Sequence, residues 1–300
     1  MEVILEVEKL RAIHFSEIVI KEGINILYGP NFGGKSTLIY ALLSTMGITG
    51  EPLAGKLELD KGSRVGVSSS AGRVECSKGG CSCAVNGRTA SGARINDILL
   101  CVRAFWENMG VRRVGYATTD TVAVYEIAGG LASIEAEGME VKLELPMWSR
   151  SGWELLTRSP QVLSSDAMDD IRDLTDIGRL QAGYAVKQGK HIPLELLSYS
   201  EKKIVALMLV ATHSDMLIVE NYEAGLHVAQ ALRLLAKLNG TTKAVIVETH
   251  MGVLMVEGME LGWNVYYVED GKALKLTREN MLNAEILRRE VERYVRARPL

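Results

Sequence analysis

The chain has 300 residues, 47% of them apolar and 24% charged, with a net charge of −3. That composition can bury one large core or two packed lobes, and it lacks the basic excess that would make the whole surface a nucleic-acid binder. No apolar run approaches a membrane span, and Met1-Glu-Val-Ile-Leu-Glu6 puts acids where a secretory leader would put lysines, so a cytoplasmic protein is expected.

In chain order, residues 3–7, 17–21 and 24–28 read as strands, with Glu22-Gly23 as the last turn. The third strand runs into Gly29-Pro-Asn-Phe-Gly-Gly-Lys-Ser-Thr37, which fits G-x-x-x-x-G-K-[ST] without a mismatch. Residues 36–46 read as the helix leading out, with Leu38, Ala41, Leu42 and Thr45 at helical spacing. A loop in that setting points successive backbone N–H groups inward and adds the positive end of a helix dipole, and together these hold polyphosphate. Asn31, Gly33, Gly34, Lys35, Ser36 and Thr37 are therefore the candidate nucleotide contacts. Lys35 is expected to reach the β- and γ-phosphates and the Ser36 hydroxyl to ligand Mg²⁺, so ATP and Mg²⁺ are the implied ligands.

A Gly/Ser-rich alternating region over 57–88 reads as antiparallel hairpins. Within it, a hairpin turning at Gly79-Gly80 would set Cys76 opposite Cys83, with Cys81 between them and Cys101 further on. The spacing lacks paired C-x2-C knuckles. A structural metal site, a disulfide and unpaired strand thiols all stay open, the thiols being the default. Residues 95–109 read as a helix, 113–117, 122–127 and 141–145 as strands, 164–188 as helical, and 200–212 as a helix after Pro193. Strands at 216–219, 244–247 and 263–268 then alternate with helices at 228–238 and 252–257, before a charged helix over 278–296. Such alternation means a largely parallel sheet with ligands at its carboxyl ends.

Met216-Leu-Ile-Val-Glu220 is an apolar strand ending in a carboxylate, as a Walker B strand requires, and Glu220 is the expected metal acid across from Ser36. Ala244-Val-Ile-Val-Glu-Thr-His250 is a second such strand, whose His250 is placed to sense or polarise the γ-phosphate. A purely structural histidine is the plainer alternative.

Together these pieces resemble the ABC-type ATPase clan, nearest the standalone heads of the overcoming-lysogenization-defect and Rad50/RecF/SMC group. The resemblance is carried by Tyr28-Gly-Pro-Asn-Phe-Gly-Gly-Lys-Ser-Thr37, Leu197-Ser-Tyr-Ser-Glu-Lys-Lys203, Leu217-Ile-Val-Glu-Asn-Tyr-Glu-Ala-Gly-Leu-His227 and Val247-Glu-Thr-His250. After the P-loop, Glu-Ala-Gly-Leu-His is the most specific string, since it is similar to the family's D-E-P-E-A-G-L-H-P. The match is good at both ends of the chain and poor over 57–190. It implies an α/β P-loop NTPase fold with an N-terminal antiparallel β subdomain and a helical segment before the signature motif. One domain in two lobes follows, about 1–150 with the P-loop and about 151–300 with the signature, Walker B and histidine. There is no heptad run long enough for a coiled-coil arm. The resemblance further implies that Ser198 completes the site of an opposite protomer, so that an ATP-dependent homodimer sandwiches two nucleotides, with 224–227 as the interfacial loop.

The chain departs from that pattern in several places. Tyr199 and Ser200 replace glycines of the signature, and Glu220 replaces an aspartate. Asn221 stands where the clan places a glutamate that orients or deprotonates the attacking water. An amide holds a water but cannot take its proton, so slow hydrolysis is expected. Glu223 and Glu248 are the nearest substitute acids, though both read first as solvent-facing. Tyr222, in place of proline, has no functional reading. No Q-loop glutamine is identifiable, Gln161, Gln181 and Gln188 lying in uncertain surroundings. Arg11, His14 and Phe15 lie at the right end of the chain for an adenine contact, with Phe15 expected in the core. On the C-terminal helix Arg289, Arg293 and Arg296 share a face, but interspersed Glu285, Glu290 and Glu292 favour a solvated salt-bridged surface over phosphate contact.

Two functions follow. The first is an ATP-hydrolysing switch in DNA repair, maintenance or defence, acting on nucleic acid or a partner protein. The second is a nucleotide-gated module of negligible turnover that recruits a nuclease or effector. A P-loop kinase would leave the 197–203 and 220–227 strings as coincidences.

Overall fold

Alternation of buried apolar residues with residues facing a second buried layer marks each central strand, and this pattern organises the molecule. The computed structural model describes residues 1–48, 59–136, 139–147, 163–181 and 183–281. The elements are, in order, β1 (Glu2–Leu10), β2 (Ile13–Lys21), β3 (Gly23–Tyr28), α1 (Lys35–Thr45), β4 (Arg64–Ser69), β5 (Gly72–Ser77), β6 (Gly80–Val85), β7 (Arg88–Gly92), α2 (Leu99–Asn108), β8 (Arg113–Ala117), β9 (Thr121–Glu126), β10 (Ser133–Ala136), β11 (Met139–Lys142) and β12 (Glu144–Pro146). There follow α3 (Ser165–Thr175), β13 (Ile177–Gln181), β14 (Tyr184–Lys187), β15 (Lys190–Pro193), α4 (Tyr199–Thr212), β16 (Met216–Val219), α5 (Val228–Thr241), β17 (Ala244–Thr249), α6 (Gly252–Glu260), β18 (Asn264–Glu269), β19 (Lys272–Lys275) and α7 (Arg278–Met281).

The central sheet is ordered β12-β9-β8-β16-β17-β3-β18-β19. Its middle strands β8, β16, β17, β3 and β18 are parallel, and antiparallel β9 and β19 flank them. A second, antiparallel sheet ordered β2-β1-β4-β5-β6-β7 is the N-terminal β subdomain that the resemblance implied. Two apolar layers sandwich the central sheet. Leu217, Val219, Val245 and Val247 pack with α4, α5 and α6 on one face. Ile218, Ile246 and Leu27 pack with α1, α2 and the second sheet on the other. Strands buried on both faces are what the near-continuous runs at 216–219 and 244–247 required. Among the described residues no helix is long and apolar enough to cross a membrane.

Several expectations are corrected. Helix occupies only the first half of 164–188: α3 stops as Asp176 turns left-handed (φ 62), and β13 and β14 form a hairpin beyond it. Ser164 caps the start of α3, accepting from the Ala167 N–H, so the aspartate-rich half was correctly helical and the glycine-punctuated half was not. Phe15 is 54% exposed rather than core, because β2 turns both His14 and Phe15 outward. Of the expected C-terminal helix only α7 lies in the described residues, and Arg289, Arg293 and Arg296 lie outside them, as does Gln161.

The cysteines are neither unpaired nor a metal set: Cys76 is bonded to Cys81 and Cys83 to Cys101. The β5–β6 hairpin turns one residue earlier than expected, with Ser77 opposite Gly80 and therefore Cys76 opposite Cys81. Gly80 is needed as a strand residue, since a Cβ there would come 2.6 Å from the Gly92 carbonyl oxygen of β7. Moving the turn by one residue moves every cross-strand partner by two, so Cys76 meets Cys81 in place of Cys83 on the same face. Cys83–Cys101 ties β6 to α2 across a separation of 18 residues, against 5 for the other bridge. Replacing Cys83 and Cys101 together by alanine should lower the unfolding free energy by about 3 kcal/mol, and replacing Cys76 and Cys81 by about 2 kcal/mol. Denaturant titration of both double variants checks the order.

Candidate functional site

The P-loop ends in Gly34, whose φ of 111° is a left-handed conformation that a side chain would resist. Gly34 offers no side chain to cap α1, and the first turn of α1 carries no acid. The leading N–H groups of α1 therefore remain available to an anion, on the axis where the helix dipole favours one.

Lys35 is buried at this helix start. Its Nζ donates to the carbonyls of Gly29 (3.0 Å) and Pro30 (2.8 Å), within the loop it is meant to serve. Glu248 Oε1 lies 3.8 Å away. Burial lowers the pKa of the Lys35 ammonium, and the charges of Glu248 and Glu223 oppose that shift. His250, at the end of β17, brings Nδ1 to 2.8 Å from the Gly29 carbonyl and 3.4 Å from Lys35 Nζ. Donation to that carbonyl makes Nδ1 the protonated nitrogen. The His250 backbone N–H donates to Glu223 Oε1 (2.8 Å), while Glu223 Oε2 is buried with no hydrogen-bond partner among the described residues.

The acids divide differently from the motif reading. Glu248 is 5% exposed, not solvent-facing, and Ser36 Oγ donates to its Oε1 (3.1 Å) and Oε2 (3.0 Å). Glu220 is also buried, but its carboxylate receives the Tyr116 hydroxyl on Oε1 and the Tyr40 hydroxyl on Oε2 (3.2 Å). Burial raises the pKa of both phenols, and the Glu220 charge adds to the shift; Tyr40 reaches about 12. Burial also raises the pKa of Glu248, opposed by Lys35 and reinforced by Glu220 and Glu223.

Ser198 is exposed and caps α4, accepting from the Glu201 N–H while Glu201 accepts from the Ser198 N–H. The N-terminus of α4 sits at the carboxyl edge of the central sheet. The Tyr199 hydroxyl donates there to the Thr119 carbonyl (3.0 Å), just past β8. Lys203 Nζ donates to three carbonyls of the loop after β16: Asn221 (3.0 Å), Tyr222 (2.8 Å) and Ala224 (3.0 Å). Asn221 is exposed and left-handed (φ 47), a conformation asparagine tolerates better than glutamate. Tyr222, which had no reading, is a buried core residue whose hydroxyl donates to Ala231 (2.7 Å).

Lys35, Ser36, Glu248 and His250 thus converge directly, with Gly33, Gly34 and Thr37 buried around them and Asn31 exposed on the loop. Glu220 is one layer away, and Ser198 and Asn221 lie on the solvent side of the same edge. Sequence reasoning missed Tyr40, Tyr116 and Lys203. Tyr40 was legible as four residues after Ser36, and Lys203 as the last charged residue before the apolar run of α4. Tyr116 carried no signal. Of the adenine candidates, the Arg11 guanidinium stands 5.7 Å from the Tyr40 ring centre. An ammonium, a hydroxyl, hard carboxylates and an uncapped helix start form a donor set suited to phosphate with Mg²⁺.

No protein-family model and no curated protein matches this sequence. Solved structures do. An SMC head domain from Thermotoga maritima superposes with a TM-score of 0.54 at 15% identity, over 92% of this chain and 99% of that one. An SMC head bound to the C-terminal winged-helix domain of ScpA gives 0.56 at 16%, over 93% and 99%. The fold is therefore an α/β P-loop NTPase fold. More particularly, it is the fold of SMC head domains.

Burial pulls the Lys203 ammonium from its ordinary 10.5 down to about 8, with Glu223 opposing. Between those values the unfolded chain holds a proton that the folded chain has released, so unfolding free energy rises with pH in that window. Relative to Lys203→Met, the native chain should gain on the order of 3 kcal/mol from pH 8 to pH 10.5, read by denaturant titration. A flat or falling difference would contradict this placement of Lys203.

Proposed function

We propose that this chain is an ATP-binding, slowly hydrolysing ATPase that dimerises head to head around two ATP·Mg²⁺. The observation carrying the reading is the convergence of Lys35, Ser36, Glu248 and His250 on the uncapped start of α1. In it the α1 N–H groups and Lys35 hold the phosphates, and Ser36 with a strand-end carboxylate holds the metal. His250, tied to Gly29 and through its backbone to Glu223, reports on phosphate occupancy. Mg²⁺ held there would supply neutralisation of the phosphate charge. Ser198, exposed at the start of α4, is available to a second protomer's nucleotide. The chain is read as one domain in two lobes, about 1–150 and 151–300, whose strands interleave in the central sheet, β3 lying between β17 and β18.

Slow turnover follows from Asn221, which holds a water without accepting its proton. The same residue favours a second reading, a nucleotide-gated module whose bound dimer recruits a nuclease, effector or nucleic acid. A role in DNA maintenance or defence rests on the Glu-Ala-Gly-Leu-His string. A cytoplasmic setting is the default for such a head. Two disulfides fit a cytoplasmic setting where the cytosol preserves them, as in hyperthermophiles, and otherwise favour an oxidising compartment.

Asn221→Asp supplies a carboxylate and keeps a residue tolerant of the left-handed turn. It should raise phosphate release by on the order of 10-fold or more, and an unchanged or slower rate counts against Asn221 as the limiting group. Lys35→Ala should abolish release. Tight ATP binding with dimerisation and no release from the native chain would favour the module. Light scattering with ATP·Mg²⁺ should show a dimer that Ser198→Arg loses, and a monomer under all conditions removes the head-to-head arrangement.

A further inference from the structure

The carboxyl edge presents two strand-end glutamates to α1, and they occupy separate rungs. Ser36 and Tyr40 lie four residues apart on α1, so their side chains share a face and are about 6 Å apart along the axis. Glu248 meets the Ser36 rung with both oxygens, at 3.1 and 3.0 Å. Glu220 meets the Tyr40 rung, and the Tyr116 hydroxyl takes its other oxygen. Strand order explains the division. β17 lies between β3 and β16 and pairs Glu248 with Leu27, beside the P-loop, whereas β16 is one strand further out.

We propose that Glu248, rather than the Walker B position Glu220, is the carboxylate that meets Mg²⁺ beside Ser36, and that Glu220 is a positioning residue locked by Tyr40 and Tyr116. This rests on the nucleotide-binding reading above and names the metal-side residue of that site.

The chemistry agrees on three counts. Glu220 has a phenolic donor on each oxygen, so metal contact there competes with at least one of them, whereas at Glu248 the competing groups are the Ser36 hydroxyl, itself an expected ligand, and the Lys35 ammonium 3.8 Å away. Lys35, 3.8 Å from Glu248, also faces the charge of Glu223, so a divalent cation at Glu248 relieves an excess of negative charge. Mg²⁺ takes one or two carboxylates and completes its shell with phosphate oxygens and water. Among the described residues no group of three or more His, Cys, Asp or Glu could hold a metal by itself, and a hydroxyl with one carboxylate needs none.

The test uses the full chain with Mn²⁺ as probe, its affinity read by electron paramagnetic resonance with a saturating non-hydrolysable ATP analogue. Affinity for the analogue in EDTA is measured alongside, and thermal melts confirm folding. Glu248→Gln, isosteric with the native residue, should weaken Mn²⁺ by about tenfold or more while analogue binding in EDTA changes by less than about threefold. Glu220→Gln and Tyr116→Phe should each cost Mn²⁺ affinity at least about fivefold less than Glu248→Gln. An equal or larger loss at Glu220→Gln overturns the assignment, as does no loss at Glu248→Gln. A Glu248→Gln loss that appears equally in EDTA also overturns it, by making Glu248 only the counter-ion of Lys35. If the native chain fails to bind the analogue at all, the nucleotide reading itself falls, a result separable from the others.

Discussion

A buried ammonium group governs this molecule. Lys35 is nearly sealed from solvent, and an isolated charge in that setting costs several kcal/mol unless it is partnered. Its partners are the Gly29 and Pro30 carbonyls and the Glu248 carboxylate, supplied by the P-loop and by β17. Satisfying Lys35 therefore requires the loop to fold back over its own helix start and β17 to run directly beside β3. The parallel order of the central sheet meets that requirement and brings His250 to the same point.

A second buried cation organises the other half of the edge. Lys203 holds the carbonyls of Asn221, Tyr222 and Ala224, and Tyr199 anchors the same helix start to Thr119. The exposed signature turn and the loop after β16 are thereby joined within one chain. Through Lys203 the α4 start is tied to the Asn221 loop, and Glu223 of that loop accepts from the His250 backbone N–H. The edge behaves as one connected polar layer resting on apolar packing.

Much of this was legible in the linear sequence where a residue's role depends on near neighbours. The P-loop, the buried runs at 216–219 and 244–247, and the capped start of α3 are all short-range patterns. The errors share an opposite character. Phe15 was placed inside by its type, yet the turn of β2 faces it outward. Cys76 was set against Cys83 by an assumed turn, and the actual turn falls one residue earlier, which moves the partner by two residues to Cys81, with Gly80 close against Gly92. The strands after Asp176 lay inside a stretch whose average composition read as helix. Glu248 read as a surface acid because nothing local says that a strand end lies beneath a helix.

What the sequence determined by itself was a glycine-rich loop between a strand and a helix, an alternation of buried strands with helices, and the set of polar groups at the strand ends. Each follows from spacing along the chain, because backbone geometry and periodic burial act over a few residues. Which acid sits beneath Ser36, which phenols hold Glu220, and which lysine binds the loop after β16 were decided only in three dimensions. The order of strands in a sheet is not written in any one strand, and side-chain partners across it are set by that order.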